Sequence, residues 1–198
     1  MSYPTVLKTD KRLATIVGDG NLELHRRPNL ALSLMLSIMS QQLSTRVAAV
    51  FHQRFLALAG KRSPRPADIL AIDYEQLRGI GLSHAKATYV HQVAEFWQTH
   101  GLTDAKLHKM TDEEVIALLT QIKGVGKWTV EMLLMFSMQR EDVFPADDLG
   151  IQQAMQRLYK VNPAAKKELL NKMQQLAEKW RPYRTYACLH LWAWKDDA

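Results

Sequence analysis

Two stretches of this sequence hold residues whose types and spacing suit chemistry. The first is Gln121-Ile122-Lys123-Gly124-Val125-Gly126-Lys127, where two glycines and two lysines sit between apolar segments. Glycine tolerates positive φ and brings no side chain, so the backbone around it can be approached closely. If a helix starts after Gly126, its first N–H groups have no partner within the helix, and its dipole favours an anion there. Lys123, Gly124, Gly126, Lys127 and Thr129 are therefore candidates to hold a phosphate without reading a base sequence. Ile122 and Val125 would anchor the turn in the core. A purely structural corner between two helices explains the same residues from local sequence.

The second stretch is Phe144-Pro145-Ala146-Asp147-Asp148-Leu149-Gly150-Ile151. An aspartate just before a helix is ordinarily its N-cap. The same position keeps a carboxylate ionised at neutral pH. From local sequence the cap is the favoured reading of Asp148. Of the five tryptophans, Trp97 and Trp180 read as core. Trp128 follows the glycine turn, and Trp192 lies near the C-terminus. His84 and His91 are seven residues apart on one helix, with no acidic or cysteine partner at ligand spacing, so they do not suggest a metal site. The single cysteine, Cys188, excludes an intrachain disulfide and an all-cysteine metal centre, and it reads as a buried inert thiol.

The elements that must position these residues are helical. Leu32, Met35, Leu36, Met39 and Leu43 form an apolar stripe at helical spacing, which predicts a helix from Leu30 to about Leu43. Ser44 can cap the next helix and Gly60 can end it. Lys61 to Ala67 reads as a surface connection. Ser83 can cap a helix to about His100, closed by Gly101. Thr111 and Glu114 have capping-box spacing for Asp112 to Leu119. Helices are also expected over Thr129 to Met138, Asp148 to Tyr159, Pro163 to Lys179 and Pro182 to Trp194, with Pro163 and Pro182 in first-turn positions. No alternating strand pattern is present, so the expected fold is all-α. Gly79-Ile80-Gly81 echoes Gly124-Val125-Gly126 before a helix, which fits either an old duplication or the common use of glycine at helix starts.

Composition bounds the rest. The 198 residues are 47% apolar and 23% charged, which suits a globular chain large enough for its own core. The net charge of +6 permits a polyanionic partner without requiring one. The longest apolar runs fall well short of the ~20 residues that span a bilayer. Met1 to Asp10 lacks an apolar signal core, so a cytoplasmic location and no membrane partner are expected.

The glycine turn resembles the helix-hairpin-helix of the DNA glycosylase superfamily that includes endonuclease III. In that superfamily a glycine- and proline-rich loop ends in a catalytic aspartate, and Asp148 stands at the matching place about twenty residues downstream. The chain is most similar to the 3-methyladenine DNA glycosylase II branch. That similarity rests on Ser40-Gln41-Gln42-Leu43-Ser44, on Gly81-Leu82-Ser83 with Lys86-Ala87, on Trp128, and on Arg181-Pro182-Tyr183-Arg184 with Tyr186-Ala187 and His190-Leu191-Trp192. It covers about Leu30 to Trp194.

The resemblance implies an all-α fold of two helical lobes: residues 29–139 with the hairpin, and 1–28 plus 140–198. An active-site cleft between them should hold Asp148, Trp128 and Trp192. It implies a monofunctional glycosylase that uses water to release alkylated purines such as 3-methyladenine and 7-methylguanine from double-stranded DNA in base excision repair. Members with lyase activity carry a lysine where Trp128 stands. An anionic Asp148 would stabilise the positive charge that builds on the sugar, and an alkylated purine leaves without a strong general acid. Trp128 and Trp192 match the branch's base-stacking pair, which suits a flipped cationic base. Gln42 matches the residue that wedges into the duplex, with Gln41 an alternative one residue away. The carbonyls of Thr120, Ile122 and Val125 match a monovalent-cation site, with no cofactor otherwise required. A monomer is implied. A glycosylase for another damaged base, or a silent DNA-binding module built on the hairpin, fits the same motifs.

Overall fold

A computed structural model describes residues 2–18, 22–162 and 165–197. Among these residues the structure is helical with no strand, the all-α fold that the periodicity predicts. Its α-helices are α1 (Tyr3–Leu7), α2 (Leu30–Ser40), α3 (Thr45–Ala59), α4 (Pro66–Leu70), α5 (Tyr74–Gly79), α6 (His84–Thr99), α7 (Asp104–His108), α8 (Asp112–Leu119), α9 (Lys127–Phe136), α10 (Leu149–Tyr159), α11 (Lys166–Ala177) and α12 (Arg184–Asp196). Short 3-10 turns lie at Leu13–Thr15 and Glu178–Trp180. None of the described helices is long and apolar enough to cross a membrane.

The chain divides into two compact units, Arg26–Met138 and Met1–His25 with Gln139–Ala198. In the first of these, α6 packs against α2, α4 and α5, while α2 also meets α3 and α9. Its core is aliphatic, with Leu30, Leu34, Met35, Ile38 and Met39 of α2 fully buried beside Val90, Val93 and Ala94 of α6. In the other unit α10 lies against α12, and the Glu178–Trp180 turn ties α11, α12 and α1 together. Its floor is Asp10, which accepts hydrogen bonds from Tyr159 Oη at 2.8 Å, Trp180 Nε1 at 3.3 Å and the backbone of Arg12 and Leu13. Burial alone would raise the Asp10 pKa. The four donors, Tyr159 foremost, outweigh burial and hold it below the ordinary value.

The caps behave as the sequence requires. Ser44, Ser83 and Asp148 accept from the third backbone N–H of α3, α6 and α10. Thr111 and Glu114 close a capping box on α8. Gly60 and Gly101 take positive φ at helix ends. Several boundaries differ from expectation, among them the ends of α9 at Phe136, not Met138, and of α12 at Asp196, not Trp194. Helix α2 stops at Ser40, not Leu43, because Gln42 turns left-handed at φ +61°. The connection after Lys61 ends early, since Pro66 and Ala67 already belong to α4. Helix α9 begins at Lys127 because Gly126 is its N-cap. Pro182 lies ahead of α12 in a cis peptide after Arg181, and not in its first turn. Pro163 lies outside the described residues. Helix α11 covers Lys166–Ala177, and the Glu178–Trp180 turn continues from it.

Candidate active site

The loop before α10 is built from its own sequence outward. Asp142 anchors it. The guanidinium of Arg184 grips that carboxylate with both ends, Nε to Oδ1 at 2.7 Å and Nη2 to Oδ2 at 3.0 Å, and also donates to the Asp142 carbonyl. Arg181 Nη1 adds a bond to Asp142 Oδ2 at 2.6 Å. A planar fork of this kind fixes orientation as well as distance. Thr185 pins the same loop by accepting from Val143 N–H at 3.0 Å and donating to the Arg140 carbonyl at 2.6 Å. Further on, Gln152 Nε2 donates to the Ala146 carbonyl at 2.9 Å inside the core. The C-terminal Arg-Pro-Tyr-Arg motif therefore serves to hold the loop that delivers Asp148.

Asp148 is half-buried at the start of α10. Its Oδ1 accepts from Ile151 N–H at 2.8 Å and from Trp192 Nε1–H at 2.9 Å. Two donors on one oxygen orient the carboxylate. Gly150 makes room for this pair. A Cβ there would lie 3.0 Å from Trp192 Cδ1 and 3.1 Å from Asp148 Oδ1. Trp192 thus contacts the carboxylate directly, a feature its expected stacking role did not anticipate. Asp147 faces elsewhere and is exposed, 3.9 Å from Lys166 Nζ. Leu149, beside the carboxylate, leaves 66% of its surface in solvent, and nothing in its local pattern signalled this.

His190, on the same helix as Trp192, is buried, and it leans on Tyr3, whose ring stacks at 4.2 Å on Tyr186. Burial first, and Lys8 second, lower its pKa. It is a packing residue that fastens α1 to α12. Cys188 is fully buried beside it.

In the other unit, α8 and α9 form the hairpin. Thr120 is the C-cap of α8, and Val125 N–H closes the turn on the Ile122 carbonyl at 3.0 Å. Ile122 and Val125 are buried as anchors. Gly124 sits at φ +88°, and a Cβ there would lie 2.3 Å from the ring of Tyr89. Both features demand glycine. Lys123 is exposed at the tip. Lys127 is engaged, 3.4 Å from the buried Glu131 carboxylate. Thr129 is buried and takes a 3.4 Å bond from Gln41 Nε2. Trp128 is 40% exposed at the first turn of α9. Gln42 is exposed at its left-handed turn, whereas Gln41 is half-buried on Thr129. The sequence favoured Gln42 with Gln41 as the alternative, and the two differ in exposure.

The rings of His84 and His91 are occupied in structural bonds, with Tyr74 Oη at 2.9 Å and the Ile72 carbonyl at 3.0 Å. No metal-ligating cluster of histidine, cysteine or acidic residues occurs among the described residues. The carbonyls of Thr120, Ile122 and Val125 are neutral oxygen donors, a type compatible with a monovalent cation, and that of Ile122 already accepts from Val125 N–H.

A helical fold that presents a glycine hairpin and a doubly held carboxylate at a helix start defines a helix-hairpin-helix protein. The chain belongs to the HhH-GPD superfamily of base excision DNA repair proteins, whose family profile matches residues 35–182. A Schizosaccharomyces pombe protein named DNA-3-methyladenine glycosylase 1 is 35% identical over 192 residues, covering 92% of this chain and 80% of that one. A DNA-3-methyladenine glycosidase from Bacillus halodurans superposes with a TM-score of 0.84 at 35% identity, covering 96% of this chain and 87% of that one. The Schizosaccharomyces pombe 3-methyladenine DNA glycosylase in complex with abasic DNA superposes with a TM-score of 0.79 at 33% identity, covering 97% and 95% of the two chains.

Proposed function

We propose that this protein is a monofunctional DNA glycosylase that hydrolyses the N-glycosidic bond of alkylated purines, 3-methyladenine and 7-methylguanine among them, in double-stranded DNA. The observation that carries the proposal is Asp148, held at the start of α10 by Ile151 N–H and Trp192 Nε1–H. As the glycosidic bond stretches, positive charge grows on the sugar, and an oriented anion stabilises it without reorganising. The same carboxylate directs a water to C1′. The departing purine already carries positive charge, so no second carboxylate is needed to protonate it, in contrast to O-glycoside cleavage.

Trp128 offers an exposed indole face that suits a cationic base, and Trp192, by resemblance a second stacking residue, orients Asp148. The hairpin binds backbone phosphates through Lys123, Gly124, Gly126, Lys127 and the N–H of Thr129, with a monovalent cation on the carbonyls of Thr120, Ile122 and Val125. Gln42 fills the space the extruded base leaves. The protein acts as a monomer in the cytoplasm.

The test is incubation with methylated duplex DNA. The expected products are free methylated base and an intact abasic strand that breaks only on later alkali treatment. With Trp128 where lyases carry lysine, borohydride should trap no protein–DNA adduct. A trapped adduct or direct strand cleavage would overturn the hydrolytic reading. Release of hypoxanthine without 7-methylguanine would overturn the substrate class.

A further inference from the structure

The turn that carries Gln42 is braced from a distance. Helix α2 ends at Ser40, and the last carbonyls of a helix have no partner within it. The turn satisfies two of them locally, with Gln41 N–H on the Ile38 carbonyl at 3.3 Å and Leu43 N–H on the Ser40 carbonyl at 3.1 Å. The carbonyls of Met39 and Gln41 are satisfied by one side chain. Lys86 Nζ donates to them at 2.9 and 2.7 Å, from a position 45 residues beyond Gln41 in α6. The ammonium is partly withdrawn from water, and that burial lowers its pKa. His52 braces the same helix end through Ser40 Oγ at 2.9 Å.

Between the two tied carbonyls and the next helix, Gln42 adopts φ +61°. That region is costly for any residue with a Cβ, and it persists only where the surroundings over-determine it. Nothing covers the Gln42 side chain in compensation, since it is exposed. The strained conformation therefore serves presentation and not packing. Lysine suits the brace because one ammonium carries three donors on a flexible stem and can serve two carbonyls at once.

We propose that Lys86 is a positioning residue for base extrusion: by tying the carbonyls of Met39 and Gln41 it holds Gln42 in its left-handed turn, ready to enter the duplex as the damaged base leaves. The inference rests on the reading of the protein as a glycosylase that inserts Gln42. A pre-set turn loses less conformational freedom at each insertion than a loose one. The Lys86 ammonium is committed to these two carbonyls, so its role falls on extrusion and not on bond cleavage.

The test compares single-turnover release of 7-methylguanine from two substrates. One is a fully paired duplex. The other holds the same nucleotide in a small bulge, where unstacking has already occurred. Gln42→Ala, Lys86→Met, Lys86→Arg and the double variant Lys86→Met/Gln42→Ala are measured with the wild type. Lys86→Met should lose tenfold or more on the duplex and stay within about twofold of the wild type on the bulge. Its retained bulge activity reports an intact fold. Lys86→Arg, which keeps donors at the carbonyls, should recover most of the duplex activity. The double variant should be no slower than the worse single variant, since both act on one step. Equal losses of Lys86→Met on both substrates, or additive losses in the double variant, would overturn the role of Lys86 while leaving a duplex-selective Gln42 standing. A Gln42→Ala protein equal to the wild type on both substrates would overturn the insertion reading and the inference together.

Discussion

A single indole N–H gives Asp148 a partner beyond those of an ordinary helix cap. Ile151 N–H is the ordinary partner of an N-cap, whereas the 2.9 Å bond from Trp192 Nε1 comes from a separate helix 44 residues away in sequence. Trp192→Phe keeps the ring and removes the donor. A hydrogen bond to a charged group is worth ~1.5–3 kcal/mol, so base release should fall about tenfold or more with little change in DNA affinity. Single-turnover release with a parallel binding titration would check this. Gly150→Ala pushes on the same pair, because its Cβ would meet both Trp192 and Asp148 at close to 3 Å, and it should slow release while the protein stays folded. Asp148 was legible as a cap, and the cap is what the structure shows; its catalytic role is the reading that the resemblance implies. The Trp192 bond was not legible, since no local pattern records that α12 returns to the start of α10.

At the scale of elements, the hairpin depends on one glycine more than on its lysines. Gly124 combines φ +88° with a Tyr89 ring where a Cβ would go. Gly124→Ala should destabilise the protein by more than ~1 kcal/mol in urea denaturation and weaken DNA binding. Tyr89→Ala in the same chain should recover part of the steric loss but none of the backbone strain. Helix starts such as Ser44, Ser83 and Thr111 were readable because a cap and its N–H lie three residues apart. Helix α2 ends short of Leu43 for the opposite reason: the left-handed Gln42 and the Lys86 bonds to the carbonyls of Met39 and Gln41 from α6 leave no local three-residue signal. The short helices α1, α4, α5 and α7 are one or two turns long, below the length at which a periodic stripe becomes visible.

For the whole molecule, acidification should act through His190 first. Its folded pKa lies below the ordinary value of 6.5, so the unfolded chain binds the extra proton. Stability from this group is complete above pH 6.5 and is lost as pH falls below it. The melting temperature should decline on lowering the pH below 6.5, and His190→Gln should flatten that decline. Asp10, also lowered, contributes stability that is lost only as pH falls below its ordinary 3.8. The +6 charge and the hairpin together predict phosphate-dominated binding, so log affinity should fall linearly with log salt, by about 0.9 per phosphate neutralised. Lys123→Ala should reduce that slope, as measured by fluorescence anisotropy across a salt series.

The central claim is that Asp148 drives hydrolysis of the glycosidic bond. It is tested most directly by comparing release of free base from methylated duplex DNA by the wild type and by Asp148→Asn, with binding to the same DNA measured alongside. The amide keeps an oxygen to accept from Ile151 and Trp192, so the fold and the cap survive. The account predicts unchanged DNA binding and release slowed at least about a hundredfold, the scale of losing a pre-set charge at a transition state. Equal release by both proteins would contradict it.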